Sequence, residues 1–156
     1  MSKQIRSFDY VNHEYEKVRD ALAGDAESVF RAATRAAASR TEAVAAALEV
    51  DIAGLKVSKD VDIRVTKVED AAPRCTKLGI EWEASSSPGL FPFMKAELSV
   101  YPLTATETQL DFSGNYEPPM GWLGSAVDAV AGHKIAEASV HRFVHQVAEY
   151  LRENLS

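Results

Sequence analysis

The sequence predicts an α+β fold in which a curved antiparallel sheet of about six strands wraps around one long C-terminal helix. The first observation is the segment Ser125–Asn154, which contains no proline and repeats apolar residues at helical spacing. Its apolar stripe consists of Ala129, Ala136, Val140, Phe143, Val144, Val147, Tyr150 and Leu151. The second observation is a succession of alternating segments that lie too close together for the crossovers of about a dozen residues that parallel strands need.

The chain opens with a predicted strand and two predicted short helices. Residues of Lys3–Val11 alternate between two faces, as in a strand with one buried face. Asn12 is suited to cap a helix over His13–Ala23, which Gly24 would end. Asp25 is suited to cap the second helix, in which apolar residues recur at helical spacing.

Five further segments are predicted to be strands. The segment Thr41–Ala53 is ambiguous, because its alanines favour a helix whereas its apolar residues alternate, and we interpret it as a strand. The other four predicted strands are Lys56–Val68, Thr76–Ala84, Met94–Leu103 and Thr106–Tyr116. Pro118 and Pro119 then end strand pairing before the long helix.

Composition and charge argue against several classes of protein. A net charge of −6 and a pI of about 5.2 disfavour general binding to nucleic acid or to an anionic membrane. No apolar stretch approaches the roughly 20 residues that span a bilayer, so stable membrane insertion is not expected. Cys75 is the single cysteine, which excludes an internal disulfide. We expect one domain over residues 1–156, located in the cytoplasm.

Two stretches carry a resemblance to a known superfamily. Residues 8–22, FDYVNHEYEKVRDAL, lead from a strand into a helix, and residues 110–124, LDFSGNYEPPMGWLG, run into the long helix. With the order of elements, they resemble the helix-grip fold of the START-related SRPBCC superfamily, which includes birch-pollen-allergen-like proteins and polyketide cyclases. The resemblance implies a cavity between sheet and C-terminal helix that holds a lipid, a polyketide or an aromatic metabolite. It implies no catalytic residue, because these marks are architectural.

The implied cavity leads to the candidate ligand-binding residues. Inward residues of the predicted sheet are Trp82, Met94, Leu98, Phe112 and Tyr116, and apolar residues near Gly/Pro/Ser-rich loops at the cavity mouth are Phe91, Phe93, Met120 and Trp122. His133 joins them because it lies on the inward stripe of the first half of the long helix. His133 and Tyr116 could each bind a ligand oxygen, and His133 could exchange a proton near neutral pH. The alternative for these residues is a structural place in or beside a solid core.

The sequence gives little support to other chemistries. It contains no phosphate-binding glycine loop, no GxSxG elbow and no paired Cys/His nucleophile. His141 and His145 are four residues apart, but they project to the polar face of the helix, and no further zinc ligands are evident nearby. We therefore expect no metal and no cofactor.

Three functions remain open. The leading hypothesis is a cytoplasmic protein that binds a hydrophobic small molecule. The second is an enzyme similar to polyketide cyclases, with His133 and Tyr116 in acid/base roles; whether any reaction is catalysed stays open. The third is a protein-interaction module, because the long helix carries a second apolar set: Val127, Val130, Ala131, Ile135 and Ala138. That set is expected to pack on the N-terminal helices, with a symmetric homodimer as the alternative.

Overall fold

The structure, a computed structural model, describes residues 3–47, 61–71, 74–84, 93–117 and 129–155. The elements follow in the order β1 (Lys3–Val11), α1 (Tyr15–Ala47), β2 (Val61–Ala71), β3 (Cys75–Ala84), β4 (Phe93–Thr104), β5 (Glu107–Glu117) and α2 (Ala129–Asn154). The described strands form one antiparallel sheet in the order β1-β5-β4-β3-β2. The α+β helix-grip fold that the sequence predicts is confirmed.

The register of the sheet aligns its inward side chains in rows. Strands β2 to β5 form a meander, and β5 pairs on its other side with β1 at the edge of the sheet. One row consists of Trp82, Met94 and Tyr116, and another of Leu78, Leu98, Phe112 and Ser7. All seven side chains are buried. These rows form the inner face of the sheet.

The outer face of the sheet is polar. Glu81 lies 2.9 Å from Arg64 and 4.0 Å from Lys95, and Glu97 lies 3.8 Å from Lys67. Such exposed ion pairs each contribute little to stability, but they keep this face solvated. The predicted alternation of inward and outward residues is confirmed for β1, β3, β4 and β5, whereas in β2 it is interrupted by a register shift between Val65 and Lys67.

Helix α1 is continuous, which corrects the prediction of two short helices. Gly24 lies within it rather than at an end. A glycine inside a helix costs about 1 kcal/mol relative to alanine. Apolar residues on both sides of the glycine share one buried face: Val18, Leu22, Ala26, Val29, Phe30, Ala33 and Ala37. Burying a single leucine or phenylalanine contributes roughly 1.5–3 kcal/mol, so packing outweighs the glycine.

The predicted strand Thr41–Ala53 is wrong where the structure describes it. Residues 41–47 form the last turns of α1, while residues 48–53 lie outside the described part of the chain, as do residues 56–60 of the next predicted strand. Alternation is weak evidence in an alanine-rich segment, because alanine fits both structures and favours the helix. The bounds predicted for β3, β4 and β5 agree with the structure to within one residue.

The two helices lie side by side on the inner face of the sheet. Phe30 of α1 packs on Phe143 of α2, with ring centroids 5.6 Å apart. His13, which precedes α1, places its Nε2 3.4 Å from the carbonyl oxygen of Arg152 near the end of α2. Residue numbers therefore increase along α1 in the direction in which they decrease along α2, so the two helices are antiparallel. Helix α2 covers mainly β1, whereas α1 lies nearer β2.

Most members of the two apolar sets predicted for α2 are buried where the structure describes them. From the inward stripe, Ala136, Val140, Phe143, Val144, Val147 and Leu151 are buried, whereas Tyr150 is 36% exposed. From the second set, Ile135 is buried and Ala138 half-buried, and whether the set packs on α1 stays a prediction. Residues 125–128 and the side chains of 129–131 lie outside the description. Among the described residues, no helix combines the length and apolar character needed to cross a membrane.

Asp9 joins the edge strand β1 to α2. Its Oδ1 accepts hydrogen bonds from Arg152 and from the backbone N–H of Tyr10, both at 2.7 Å, and its Oδ2 lies 3.1 Å from Nδ1 of His145. Arg152 also donates to the carbonyl oxygen of Tyr10 at 2.5 Å. The backbone groups of Tyr10 are thus satisfied by side chains, which protects this end of β1 against pairing with a further strand.

Candidate functional site

The row Trp82, Met94 and Tyr116 crosses the inner face near the ends of three strands. Trp82 pairs with Met94, and Met94 pairs with Tyr116. All three are at most 1% exposed. Because inward residues of neighbouring strands stand side by side, the row forms a continuous, largely apolar wall that ends in the tyrosine hydroxyl.

The Tyr116 hydroxyl meets His133 of α2. Its oxygen lies 3.0 Å from Nδ1 of the imidazole, and Nε2 of the same ring lies 3.7 Å from Oε2 of Glu137. Burial raises the pKa of the Tyr116 phenol, so its hydroxyl keeps its proton at neutral pH. With the imidazole proton on Nε2, Nδ1 accepts from the tyrosine; with the proton on Nδ1, the imidazole donates to it. The pair can therefore switch between two hydrogen-bonded states.

Four aromatic rings fill the centre of the space between sheet and helices. Phe143 of α2 lies 4.7 Å from Trp82, 5.8 Å from Phe112 and 5.6 Å from Phe30, measured between ring centroids. All four rings are fully buried. Leu98, in the same row as Phe112, is buried too. These contacts give Trp82 and Phe112 a structural role in the core, beside the role in ligand binding predicted for them.

Gly114 and Ala96 leave room in the sheet that larger neighbours occupy. The two residues are paired across β4 and β5. A Cβ atom on Gly114 would lie 2.9 Å from the Cβ of Ala96 and 3.0 Å from atoms of both Met94 and Phe112. The inner face is thus packed tightly at this point, which leaves no room for a ligand beside Gly114.

The remaining predicted site residues belong to the cavity mouth. Phe91, Met120 and Trp122 lie outside the described residues. Phe93 begins β4, but its side chain is not described. Their predicted role in ligand access therefore stays a prediction.

A groove of about 370 Å³ lies on the solvent side of α2, and sequence reasoning missed it. Its lining consists of Lys134, Glu137, Ala138, His141, Arg142 and His145. We call it the α2 groove. The sequence predicts His141 and His145 on the polar face of the helix, and the one joint role considered for them there, metal binding, is disfavoured. The groove could have been predicted from the spacing of Lys134, Ala138 and Arg142. Residues four apart lie on one face of a helix, so the small Ala138 lies between two cations.

The comparisons with known proteins rest on structure. No protein-family model and no curated protein matches the sequence. A conserved protein from Geobacillus kaustophilus has 14% identity and a TM-score of 0.57, with 100% of this chain and 98% of that chain covered. The protein TTHA0849 from Thermus thermophilus has 14% identity and a TM-score of 0.50, with 99% and 100% covered. A START superfamily protein from Mycobacterium smegmatis has 11% identity and a TM-score of 0.44, with 96% and 97% covered. At 14% identity, the matches to the Geobacillus and Thermus proteins show a likeness of fold alone.

Proposed function

We propose that this chain is a cytoplasmic binding protein for a hydrophobic small molecule, held between the inner face of the sheet and the first half of α2. The observation that carries the proposal is the exposure of His133. It projects from the same side of α2 as Ala136 and Val140, which are fully buried, yet 43% of its side chain is exposed. At the level of His133 the inward side of α2 therefore meets solvent, next to the buried Tyr116.

The wall around Tyr116 suits an apolar ligand that carries one polar atom. Trp82 and Met94 supply apolar surface in the same row of the sheet. A ligand that buried about ten methylene groups would gain roughly 8 kcal/mol before the costs of binding are subtracted. The hydroxyl of Tyr116 or the imidazole of His133 would then orient one ligand oxygen.

The first test is native mass spectrometry of the purified protein before and after extraction with organic solvent. We expect a bound small molecule that extraction removes. The fluorescent probe 1-naphthol, which is apolar with one oxygen, should then bind saturably to the extracted protein. If nothing co-purifies and 1-naphthol does not bind saturably, the proposal is wrong.

A pair of matched variants tests the role of Tyr116. Tyr116→Phe should weaken 1-naphthol binding by between about twofold and tenfold, the range expected for one lost hydrogen bond. Tyr101→Phe, on the outer face of β4, should leave binding unchanged. Equal affinities of the two variants would remove Tyr116 from the ligand site.

The chain from Tyr116 through His133 to Glu137 favours a second candidate function, acid/base catalysis similar to that of a polyketide cyclase. A histidine between a phenol and a carboxylate is placed to accept a proton from a ligand and to pass it towards solvent. On this hypothesis, His133→Ala abolishes turnover of a polyketide or aromatic substrate while 1-naphthol binding survives. Equal turnover in the variant would exclude this mechanism.

A further inference from the structure

The α2 groove has a composition unlike that of the interior. We propose that it is a second binding site, which takes the phosphate group of a phosphate monoester. It lies on the opposite side of α2 from the aromatic core, so the proposal is independent of ligand binding inside the fold. The shape of the groove, its charges and the positions of its histidines support this assignment.

The shape follows from a small residue between two long cationic ones. Lys134, Ala138 and Arg142 succeed one another at intervals of four residues, which places them about 6 Å apart along one side of the helix. The methyl group of Ala138 leaves a hollow between the two long side chains. The groove of about 370 Å³ is large enough for a phosphate group and a small organic substituent.

The groove contains two permanent cations, Lys134 and Arg142, and one carboxylate, Glu137. Arg6, Arg64 and Arg152 each lie within 3.4 Å of a carboxylate oxygen. Within the described residues, by contrast, Lys134 and Arg142 form no ion pair. The carboxylate of the groove, Glu137, lies 3.7 Å from His133. In a chain of net charge −6, two cations that flank Ala138 and form no ion pair among the described residues are suited to an anionic ligand.

The two histidines are held in place by β1. Nδ1 of His141 lies 2.7 Å from Oγ of Ser7, which is 4% exposed, so Nε2 is left as the outer nitrogen of the ring. His145 is held between Asp9 and Glu149, each 3.1 Å from one of its ring nitrogens. When the Ser7 hydroxyl donates to Nδ1, His141 carries its proton on Nε2, which can then donate to a ligand in the groove.

These donors match a phosphate monoester better than a carboxylate. A guanidinium binds two phosphate oxygens at once, while an ammonium and an imidazole N–H can reach the third. A carboxylate offers only two oxygens and a single charge. We therefore expect phosphate monoesters to bind more tightly than acetate does.

The test is a titration of the ¹⁵N-labelled protein with glycerol 3-phosphate, followed by amide chemical shifts. We expect saturable shifts at Ala138 and His141. Arg142→Ala should weaken binding roughly tenfold or more, the effect of losing a charged hydrogen-bond donor. Arg35→Ala removes an exposed arginine of α1 and should change nothing.

A second pair of variants separates charge from size. Ala138→Glu places a carboxylate in the hollow and should abolish binding of glycerol 3-phosphate. Ala138→Gln introduces an uncharged side chain of nearly equal size and should bind glycerol 3-phosphate more tightly than Ala138→Glu does. Both changes lie on the surface of a helix and suit helical structure, so folding is expected to persist. If no saturable shifts occur, or if Arg142→Ala and Ala138→Glu leave them unaltered, the proposal is wrong.

A final arm identifies the source of the phosphate group. Phosphatidylcholine vesicles with and without phosphatidic acid are compared with soluble glycerol 3-phosphate. Binding of the soluble ester that depends on Arg142 supports a free metabolite. Binding to phosphatidic acid vesicles alone, with the same dependence, supports a lipid headgroup. Acetate binding as tightly as glycerol 3-phosphate would contradict the assignment to phosphate.

Discussion

Asp70, near the end of β2, accepts hydrogen bonds from two other elements. Arg19 of α1 donates to both carboxylate oxygens, at 3.0 and 2.5 Å, and Thr76 of β3 donates to Oδ1 at 2.9 Å. The pKa of Asp70 is lowered from its ordinary 3.8 to about 2. The hydrogen bond from Arg19 is the largest cause, and the hydrogen bond from Thr76 is the second. The folded state thus binds this proton less readily than the unfolded state does.

The first prediction concerns the stability of Arg19→Leu in acid. A carboxylate whose pKa is lowered by folding stabilises the protein above its unfolded pKa, and that stabilisation is lost as the pH falls through the folded pKa. The variant should therefore be less stable than the parent above pH 3.8, and the difference should vanish as the pH falls through about 2. Urea unfolding from above pH 3.8 down to about pH 2 measures the difference in the free energy of unfolding between variant and parent, with Arg35→Leu as the control. A difference independent of pH would contradict the assignment.

The second prediction concerns the close packing at Gly114. In Gly114→Val the new side chain would overlap Ala96, Met94 and Phe112, which lie 2.9–3.0 Å from its Cβ position. Overpacking of this kind typically costs about 1–3 kcal/mol in the free energy of unfolding. Urea unfolding measures the loss. An unchanged stability would mean that the space above Gly114 is open and available to a ligand.

At the scale of the element, α1 contains a glycine that its packing tolerates. An added Cβ atom at Gly24 would meet no atom within 4 Å, and the residue is exposed. The third prediction is that Gly24→Ala raises the free energy of unfolding by roughly 0.5–1 kcal/mol, because alanine favours the helix. Thermal unfolding checks it. A loss of stability would indicate that the helix bends or breaks at this position.

The strands were predictable because each carries its own signal. In β3, Leu78, Ile80 and Trp82 alternate with outward residues, and polar or proline-containing segments bound the strand. The continuity of α1 was not predictable in this way. Gly24 and Asp25 form a good local signal for a helix end, and only burial of the apolar face against the rest of the molecule overrides it.

At the scale of the whole molecule, Phe143 joins three elements. Its ring packs on Phe30 of α1, Trp82 of β3 and Phe112 of β5. The fourth prediction is that Phe143→Ala lowers the free energy of unfolding by about 3–5 kcal/mol, as for other large cavities made in a core. Phe8→Ala, at a residue that is 73% exposed, should cost less than about 1 kcal/mol. Similar losses in the two variants would show that Phe143 is not central to the core.

The candidate site was predictable only where a single element specifies it. The inward direction of Tyr116 and His133 follows from the periods of a strand and a helix, and periodicity alone placed both correctly. Their hydrogen bond depends on how far α2 lies from β5, which no local pattern encodes. The α2 groove was missed for a related reason. The partners of its histidines, Ser7 and Asp9, come from the other end of the chain.

The pairing of β1 with β5 has a consequence for synthesis. The first strand leaves the ribosome roughly a hundred residues before its partner, and at ordinary elongation rates it waits on the order of ten seconds. During that interval α1 can form locally, but the nascent β1, with Phe8 and Tyr10, remains without its hydrogen-bonded neighbour. A chaperone that shields extended apolar segments would therefore act on β1 of the growing chain.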